Sequence, residues 1–598
     1  MTRTTNDSTH RAVASGEVTL AVTEWGEPNH PTVVLVHGFP DTSAVWTRVA
    51  ELLAPEHHVV AYDVRGVGGS TAPAKRGSGY RLDRLVADLE AVIDETSPGR
   101  SVHLVGHDWG SVQLWEAVTE PRLRSRIASF TSISGPCLDH VGHQLRDLIR
   151  HPRPANLARL ADQAARSSYV FAAQLPGAPW VAATLGPSLL PFLKAADGVS
   201  RTETAAPTAD EVRAGLQLYR SNVRARLRSP GWRTTDVPVQ VIAIGGDRFV
   251  PPALTEGVER YAPRLWRRLV QGRHWSVATH PQRAATWIRE LVSHVEGAPE
   301  PRSLRRARVH GRPNRDRFAD TLVLITGTGS GFGRATALKL AARGAMVIGA
   351  DVDHAAASAT AEACRAFGVP AEARQVDVAD VDALELFAKT LLAEFGVPDI
   401  VVNNAGIAVA GDVMAMTADD WDRILGVNLL GVIHGSRLFG KAMVERGEGG
   451  QIVNVASAAA FGPTPTLAAY GTTKAAVLQL SRSMRAELAP HGIGVSAMCP
   501  GFSSTNIGRS AQYVGARSAS PERMQRLGDR ALRLRHMPAE HVADAIVDAI
   551  GRNRAVVATG ADAHAVRLLN RISPAAADAI SAAIGRAHHA LTGGAGSE

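Results

Sequence analysis

An aspartate stands at the centre of a glycine-flanked turn in the first half of the chain. The segment 102–110, VHLVGHDWG, runs from an apolar stretch into Gly106-His-Asp108-Trp109-Gly110. A tight turn of this form between a strand and a helix exposes its central side chain, and the glycines leave room for the bend. The pattern predicts that Asp108 is a nucleophile held in a strained backbone conformation.

Two later polar residues could complete a catalytic triad. Asp247 lies in Gly-Gly-Asp-Arg-Phe-Val-Pro and His274 in Gly-Arg-His-Trp, each after an apolar run. Alone, Asp247 could be a turn residue, and His274 is one of 22 histidines. The order of nucleophile, acid and histidine along the chain favours a triad of Asp108, Asp247 and His274.

An aspartate nucleophile restricts the chemistry. Attack on an ester carbonyl would give a reactive anhydride, so the carboxylate suits displacement at saturated carbon. We therefore expect Asp108 to open an epoxide or expel a halide, forming an alkyl-enzyme ester. His274, oriented by Asp247, would then activate the water that hydrolyses this ester.

Residues 17–295 resemble the α/β-hydrolase family, in particular its epoxide hydrolases and haloalkane dehalogenases. The resemblance rests on the turn around Asp108, on His-Gly-Phe-Pro at 37–40, and on the turn at 63–70. It implies an α/β-hydrolase fold in which the backbone N–H groups of Phe39 and Trp109 form the oxyanion hole.

A helical cap is predicted from about residue 137 to 236, where an Ala-, Leu- and Arg-rich pattern interrupts the strands. Tyr169 and Tyr219 are the only two of the seven tyrosines within it. Epoxide hydrolases use two cap tyrosines as proton donors, so the resemblance favours an epoxide over a halide. Packing is the alternative role for both, and Tyr169 lies further from the signature Gln174-Leu-Pro-Gly than in many relatives.

A glycine loop predicts a second site, in the other half of the chain. It follows the apolar run 321–325 and leads into an alanine-rich helix. In that context the backbone N–H groups and the helix N-terminus bind the pyrophosphate of a dinucleotide. The loop residues expected at the cofactor are Thr326, Gly327, Ser330, Gly331, Phe332 and Gly333.

A tyrosine and a lysine further along could move a proton beside that cofactor. Lys474 lies four residues after Tyr470, one helical turn along the same face, where its cation would lower the phenol pKa. Tyr470 could then exchange a proton with a substrate oxygen during hydride transfer. An ordinary helix pair is the alternative, and Ser457 and the glycine loop argue against it.

Residues 317–559 resemble the short-chain dehydrogenases/reductases, which implies a Rossmann fold. Their motifs appear in order as the glycine loop, Asp377-Val378, Asn403-Asn404-Ala405-Gly406, Asn428, Ser457, Tyr470 with Lys474, and Pro500-Gly501 with Thr505. By this resemblance Ser457 polarises the substrate oxygen, Asn428 holds a relay water behind Lys474, and Thr505 binds the nicotinamide carboxamide. The remaining cofactor contacts are Asp377, Val378, Asn404, Ala405, Gly406, Pro500 and Gly501.

The cofactor is predicted to be NAD rather than NADP. Asp351 ends the second apolar run about twenty residues after the glycine loop, where an acidic side chain bonds the ribose 2′-hydroxyl and repels a 2′-phosphate. Ser330 offers no compensating positive charge, and a cap or turn role for Asp351 is the alternative.

The elements that must position these residues are buried strands alternating with helices, a pattern typical of parallel α/β sheets. The predicted strands are 33–36, 58–62, 102–105, 127–133 and 239–244, then 322–325, 346–349, 399–402, 452–455 and 494–498. We therefore predict an α/β-hydrolase domain at 17–295 with its helical cap, and a Rossmann domain at 319–598 with a helical extension at its C-terminus. A Pro- and Arg-rich linker is predicted at 296–318.

Composition limits the wider function. With 45% hydrophobic residues among 598 the chain can bury large cores, and its net charge of +8 comes without a one-sided basic motif for nucleic acid. Three scattered cysteines predict neither a metal site nor disulfides, and favour a reducing, cytoplasmic location. Neither a signal peptide nor a run of eighteen apolar residues is found.

The whole chain resembles actinobacterial fusions of an epoxide hydrolase with a short-chain dehydrogenase. This implies diol formation from a lipophilic epoxide in one half and NAD-dependent alcohol or ketone conversion in the other. Two alternatives stay open: a dehalogenase with Trp109 and Trp180 holding halide, or a silent binding module. We also expect a homo-oligomer through the helix bearing Tyr470. The apolar helical region 538–589 could close over a long apolar substrate or make peripheral contact with a membrane, but packing or oligomer contact is the commoner role of such helices.

Overall fold

The computed structural model describes residues 8–200, 206–309, 316–411, 413–465, 467–501, 512–514 and 537–592. The chain divides into two compact units, Met1–Pro313 and Asn314–Glu598. Each unit has its own sheet and its own hydrophobic cores.

The first unit contains an eight-stranded sheet in the order β1-β2-β4-β3-β5-β6-β7-β8. Its strands are β1 Thr9–Ser15, β2 Val18–Trp25, β3 Thr32–Val36, β4 His58–Tyr62, β5 Val102–His107, β6 Ile127–Ile133, β7 Val239–Ile244 and β8 Leu265–Val270. β1 and β2 pair antiparallel, β2 joins β4 antiparallel, and the other pairs are parallel. Strands such as β3 and β5 are buried along their whole length, because helices cover both faces of the sheet.

Eleven α-helices are described in this unit, and five of them form a cap inserted between β6 and β7. Around the sheet lie α1 Thr47–Leu53, α2 Leu82–Thr96, α3 Trp109–Thr119, α9 Ser276–Thr279, α10 Pro281–Val295 and α11 Arg302–Ala307. The insertion contains α4 Leu138–Arg150, α5 Pro154–Arg166, α6 Ser168–Ala172, α7 Ala178–Ala196 and α8 Ala209–Arg228. Thr208 and Glu211 form a reciprocal capping box that begins α8.

The second unit contains a parallel seven-stranded sheet in the order β11-β10-β9-β12-β14-β15-β17. Its strands are β9 Leu322–Thr326, β10 Met346–Asp351, β11 Ala371–Gln375, β12 Ile400–Asn403, β14 Gly450–Val455, β15 Ile493–Pro500 and β17 Val556–Thr559, with β13 Val409–Ala410 and β16 Gln512–Tyr513 paired separately. The helices are α12 Gly331–Ala341, α13 His354–Arg365, α14 Val381–Phe395, α15 Ala418–Leu425, α16 Gly431–Arg446, α17 Ala468–Leu488, α18 Ala539–Arg552, α19 Ala561–Ile572 and α20 Pro574–Thr592. A π-helical turn, Gly426–Leu430, lies between α15 and α16.

The fold class predicted from the sequence is confirmed, with two corrections to the parts. The predicted linker at 296–318 is not free chain up to residue 309: α11 buries Leu304 against Trp266, and the N–H of Val309 donates to Leu265. Leu304 and the aliphatic part of the arginine side chains pack this segment against the domain. The polar composition of the segment gave no indication of this packing. The region from 538 is also not purely helical, because β17 pairs with β15 at the edge of the sheet.

Within the described ranges, the longest apolar helices fall short of what crossing a bilayer would require.

Candidate functional sites

The turn after β5 holds Asp108 as predicted from the sequence. Its backbone adopts φ 50° and ψ −122°, outside the regions that ordinary residues favour. A side chain at Gly110 would put its Cβ 2.0 Å from the carbonyl oxygen of Val36, and one at Gly38 would lie 2.5 Å from the Asp108 side chain. Glycine at both positions therefore lets the neighbouring loop approach the nucleophile.

The structure brings the three predicted triad residues together. Nδ1 of His274 lies 2.9 Å from Oδ2 of Asp247, and Nε2 lies 4.0 Å from Oδ1 of Asp108. All three residues are buried. The imidazole thus faces both carboxylates, with one ring nitrogen toward each.

Burial and neighbouring charges shift the pKa values of all three triad residues. Burial raises the pKa of Asp108 to about 6, although His274 and the N–H groups of Trp109 and Phe39 oppose the rise. Burial disfavours the imidazolium, but Asp247 and Asp108 outweigh it and raise the pKa of His274 to about 9. Burial would also raise the pKa of Asp247, yet His274 and hydrogen bonds hold it below its usual value.

The predicted oxyanion-hole donors border the nucleophile. The backbone N–H of Phe39 donates to Oδ2 of Asp108 over 3.0 Å. Trp109 begins α3, so its N–H lies at the helix N-terminus, where partial positive charge favours an anion. Both groups can stabilise negative charge on the carboxyl oxygens of Asp108.

The two cap tyrosines meet over this site. The ring of Tyr219 lies 5.9 Å from that of Tyr169 and 4.8 Å from the indole of Trp109. Burial raises the pKa of both phenols, and the Asp108 carboxylate raises each further. Both hydroxyls therefore stay protonated at neutral pH and can serve as acids.

Sequence reasoning missed three residues that support the triad. Asp41 accepts a hydrogen bond from Nε1 of Trp275 over 2.9 Å and lies 2.6 Å from Nζ of Lys194, which α7 supplies from the cap. Nε2 of His107 lies 2.9 Å from the carbonyl of His274. The signal for Lys194 was its position as the only charged residue in α7.

Trp180, the residue that the dehalogenase alternative places at halide, is 71% exposed. It lies on the outer face of α7, so the structure does not bring it to Asp108 and corrects that assignment.

In the second unit the glycine loop leads into the start of α12 as predicted. Gly327 has φ +74° and Gly331 has φ +54°, conformations that glycine adopts without strain. Ser330 precedes the helix without a side-chain hydrogen bond to cap it, so the first N–H groups of α12 have no capping acceptor. A pyrophosphate fits this need, because a helix N-terminus binds anions.

Neighbouring residues fix the shape of that loop. Oγ1 of Thr326 accepts from the N–H groups of Asn404 and Ala405, each over 3.0 Å, and Nδ2 of Asn404 donates to the carbonyls of Thr326 and Gly327. An added Cβ at Gly333 would lie 2.0 Å from the oxygen of Gly327. The side chain of Phe332 packs against the core.

Asp351 ends β10 beside the glycine loop, as predicted. Its Oδ2 accepts from the N–H of Gly329 over 2.7 Å, and its Oδ1 from Asp353 over 3.0 Å. Asp377 accepts from the N–H of Ala379, and Val378 is buried. The structure therefore gives Asp351 a loop-ordering contact in addition to any contact with ribose.

Tyr470 and Lys474 lie on α17 with Nζ of Lys474 5.7 Å from the phenol ring. Nζ donates to the carbonyl of Val455 over 2.9 Å, and burial lowers the pKa of Lys474 to about 8. The expectation that Lys474 lowers the pKa of Tyr470 was wrong for this arrangement. Burial raises the pKa of Tyr470, and only the Ser457 hydroxyl opposes it.

The remaining predicted residues surround this pair. Asn428 lies in the π-helical turn, where both side-chain groups bond the backbone of Ile407, at 2.8 and 2.9 Å. A Cβ added at Gly406 would lie 3.3 Å from Oδ1 of Asn428 and 3.4 Å from Nζ of Lys474. Gly406, Asn428 and Lys474 are therefore close neighbours. Pro500 ends β15, and the N–H of Gly501 donates to Thr559 over 2.9 Å. Thr505 lies outside the described residues.

In the part of the chain that the structure describes, no group of three or more His, Cys, Asp or Glu side chains is arranged so that it could hold a metal ion.

Two family models match the chain, one for each unit. The model for the alpha/beta hydrolase fold matches residues 31–281, and that for short chain dehydrogenase matches residues 321–513.

Among known proteins, the chain is 40% identical over 576 residues to "Probable oxidoreductase EphD" of Mycobacterium tuberculosis strain H37Rv, covering 94% of this chain and 96% of that protein. It is 36% identical over 190 residues to 3-oxoacyl-(acyl-carrier-protein) reductase of Synechocystis, covering 31% of this chain and 75% of that protein. A crystal structure of a short-chain dehydrogenase/reductase from Burkholderia phymatum in complex with NAD is 32% identical, with a TM-score of 0.39, and covers 42% of this chain and 94% of that one.

Proposed function

Because the chain belongs to the family of oxidoreductases that join an alpha/beta hydrolase fold to a short-chain dehydrogenase, we propose that it performs two reactions. The first unit hydrolyses a lipophilic epoxide to a diol. The second interconverts a secondary alcohol and a ketone with NAD.

The observation that carries the first reaction is the buried Asp108 carboxylate facing His274 and two protonated tyrosines. A carboxylate oxygen of Asp108 attacks an epoxide carbon, and the carbon–oxygen bond of the ring breaks. The released alkoxide takes its proton from Tyr219 or Tyr169. The product of this step is a hydroxyalkyl ester of Asp108.

Ester hydrolysis follows from the change in charge. Esterification removes the negative charge of Asp108, one of the three carboxylates, with Asp247 and Asp41, that raise the pKa of His274. The imidazolium then loses its proton more readily, and this proton restores the phenolate to a phenol. The neutral imidazole can deprotonate a water. The oxygen of that water attacks the ester carbonyl, and the N–H groups of Phe39 and Trp109 stabilise the oxyanion. The bond between the ester carbonyl carbon and the diol oxygen breaks, the diol oxygen takes a proton from the imidazolium, and the carboxyl proton of Asp108 restores the imidazolium.

An epoxide substrate fits this site better than a haloalkane. Of the two residues that the dehalogenase alternative places at halide, Trp109 has its side chain hydrogen-bonded to Tyr219, and Trp180 lies on the exposed face of α7. The two tyrosines supply the protons that an opening epoxide needs and a halide does not.

In the second reaction, bound NAD would supply or accept hydride, held by the glycine loop and the start of α12. Ser457 polarises the substrate oxygen, and Tyr470 exchanges a proton with it. Lys474 and Asn428 position that phenol and the proton path behind it. Asp351 favours NAD, because its carboxylate repels a 2′-phosphate.

Mass spectrometry in ¹⁸O-labelled water tests the ester mechanism. The protein is incubated with a panel of epoxides through many turnovers, and the peptide containing Asp108 is weighed. We expect ¹⁸O in Asp108, because water attacks the ester carbonyl, and no label in the variant Asp108→Asn. Diol formation without label would exclude the ester, and absence of diol would favour a silent module. In a parallel incubation with haloalkanes, halide release without turnover of any epoxide would favour a dehalogenase.

A further inference from the structure

Helix α7 of the cap buries small residues and exposes bulky apolar ones, whereas most helices bury their bulky apolar residues. Its buried residues include Ala183 and Gly186, and an added Cβ at Gly186 would lie 2.9 Å from the side chain of Val212 on α8. The small residues therefore allow α7 and α8 to pack closely. The bulky apolar residues of α7 are left on the outside.

The outward apolar residues of α7, together with two that precede this helix in the chain, form what we call the cap face. They are between 47% and 71% exposed, and comprise Phe171, Leu175, Trp180, Val181, Leu185, Leu189 and Phe192. At 100° per residue, those within α7 fall on one side of the helix. Residues 167–193 contain no charged side chain. An apolar surface of this kind usually contacts another apolar phase.

Cationic groups lie at both ends of the cap face. Nη1 of Arg220 donates to the carbonyls of Ala173 and Leu175, over 2.8 and 2.9 Å, just before α7 begins. The guanidinium of Arg273 donates to the carbonyl of Ala196 at the end of α7 and lies 4.0 Å from the buried carboxyl of Asp197, whose pKa is raised by burial. From 138 to 196 the cap also has five arginines against three aspartates.

The cap face is next to the entrance of the first active site. Phe171 follows Tyr169 by two residues on α6, and Tyr169 is itself 36% exposed. The Tyr169 phenol is close enough to Asp108 and Asp247 for their negative charges to raise its pKa. A ligand leaving an apolar phase at the cap face would therefore reach the tyrosines first.

We propose that the cap face binds the surface of an anionic phospholipid bilayer, with α7 lying in the plane of the interface. The apolar side chains enter the acyl boundary, and Arg220 and Arg273 contact lipid phosphates at either end. The use of this contact, to admit a lipophilic epoxide, rests on the proposed function.

A second copy of the chain fits this surface less well. A two-fold contact between antiparallel α7 helices would bring the Arg220 end of one copy to the Arg273 end of the other. Like charges would then oppose each other at both ends, whereas phosphate headgroups neutralise them.

Vesicle sedimentation of the full chain tests this proposal. Vesicles are phosphatidylcholine alone or an equal mixture with phosphatidylglycerol. The test variant carries Leu185→Gln, Leu189→Gln and Phe192→Gln. The control variant carries Leu568→Gln, Ile572→Gln and Ile580→Gln, which remove equally exposed apolar residues from α19 and α20.

We expect the unmodified chain to bind the anionic vesicles more tightly than the neutral ones, and less tightly as salt rises. The cap-face variant should lose affinity by about tenfold or more, and the control variant should bind as the unmodified chain does. Loss of binding in the control with retention in the cap-face variant would move the membrane contact to the C-terminal helices and overturn the proposal.

Two further outcomes would also overturn it. One is absence of vesicle binding by the unmodified chain, and the other is a concentration-dependent dimer that the cap-face variant cannot form. Turnover of a small water-soluble epoxide is measured in parallel and should be the same in both variants. Failure of that turnover concerns the proposed function, since vesicle binding is measured without any substrate.

Discussion

At the scale of single residues, burial makes Asp108 a weaker acid than an exposed aspartate. Only the ionised carboxylate can attack an epoxide, and its pKa is raised to about 6. We expect the rate of ester formation in a single turnover to fall about tenfold per pH unit below that value. Rapid-mixing measurements from pH 8 to 5 check this, and a flat profile down to pH 5 would contradict it.

The variant His274→Gln provides the control for this profile. His274 lowers the pKa of Asp108, so removing the imidazole should shift the profile for ester formation to higher pH. The ester should also persist, because no base remains to activate water. A profile shifted to lower pH, or an ester that disappears at the normal rate, would show that His274 does not have these roles.

Asp351 is expected to determine the choice between NAD and NADP. Its carboxylate stands at the end of β10 and already orders the glycine loop through Gly329. In the variant Asp351→Asn one oxygen acceptor remains while the charge is lost. We expect the preference for NAD over NADP to fall by about tenfold or more, from one lost charge repulsion and one lost charge-assisted hydrogen bond. Titration of both nucleotides checks this, with Asp353→Asn as the control; an unchanged ratio would contradict it.

At the scale of elements, one buried ion pair fastens the cap to the hydrolase core. Lys194 on α7 and Asp41 after β3 are 2.6 Å apart, with side chains only 5% and 1% exposed. Removing one partner leaves the other charge buried without compensation. We expect Lys194→Met to lower the free energy of unfolding of the first unit by about 3–5 kcal/mol.

The matched control for this change is Arg213→Met on α8. Its partner Asp210 is 82% exposed, and a surface pair of this kind contributes about 0–1 kcal/mol. Denaturant unfolding of the full chain, followed by tryptophan fluorescence, separates the two effects. Equal small losses in both variants would show that the cap does not depend on Lys194.

Strands that are buried on both faces could be predicted from the sequence, and strands that contain charged residues could not. Strands such as β3 and β5 are apolar and covered on both faces, so sequence alone revealed them. β8 was missed because Arg267 and Arg268 interrupt its apolar run. In the structure Arg268 is buried and donates to Gln240 over 2.7 Å, a tertiary contact that no local pattern shows.

Among the site residues, those in short local motifs could also be predicted from the sequence, and those brought together by the fold could not. Asp108 and Tyr470 belong to short local motifs, so their type and spacing were sufficient to predict them. Lys194 and Asp41 are 153 residues apart in the chain and meet only because the cap folds back onto the core. The pKa of Tyr470 was mispredicted for the same reason, since the folded chain buries the phenol and the cation of Lys474 donates to the carbonyl of Val455.

At the scale of the whole molecule, each unit contains the groups that its own proposed reaction requires. Asp108, Asp247 and His274 all come from the first unit, and Ser457, Tyr470 and Lys474 from the second. Loss of one activity should therefore leave the other intact. Asp108→Asn and Tyr470→Phe separate the two reactions in otherwise identical chains.

The chemistry of the two reactions permits them to act in sequence. Hydrolysis of an epoxide gives a diol, and a secondary alcohol of that diol is what a short-chain dehydrogenase oxidises to a ketone. We expect the unmodified chain, supplied with an epoxide that it hydrolyses and with NAD⁺, to form NADH and a hydroxyketone. Absorbance at the nicotinamide band, with product analysis, measures this.

The variant Asp108→Asn should form NADH only from added diol, and Tyr470→Phe should accumulate diol while NADH formation falls by about 10²–10⁴-fold. If the unmodified chain forms no NADH from its own diol, the two reactions serve different substrates, and fusion of the units has another cause.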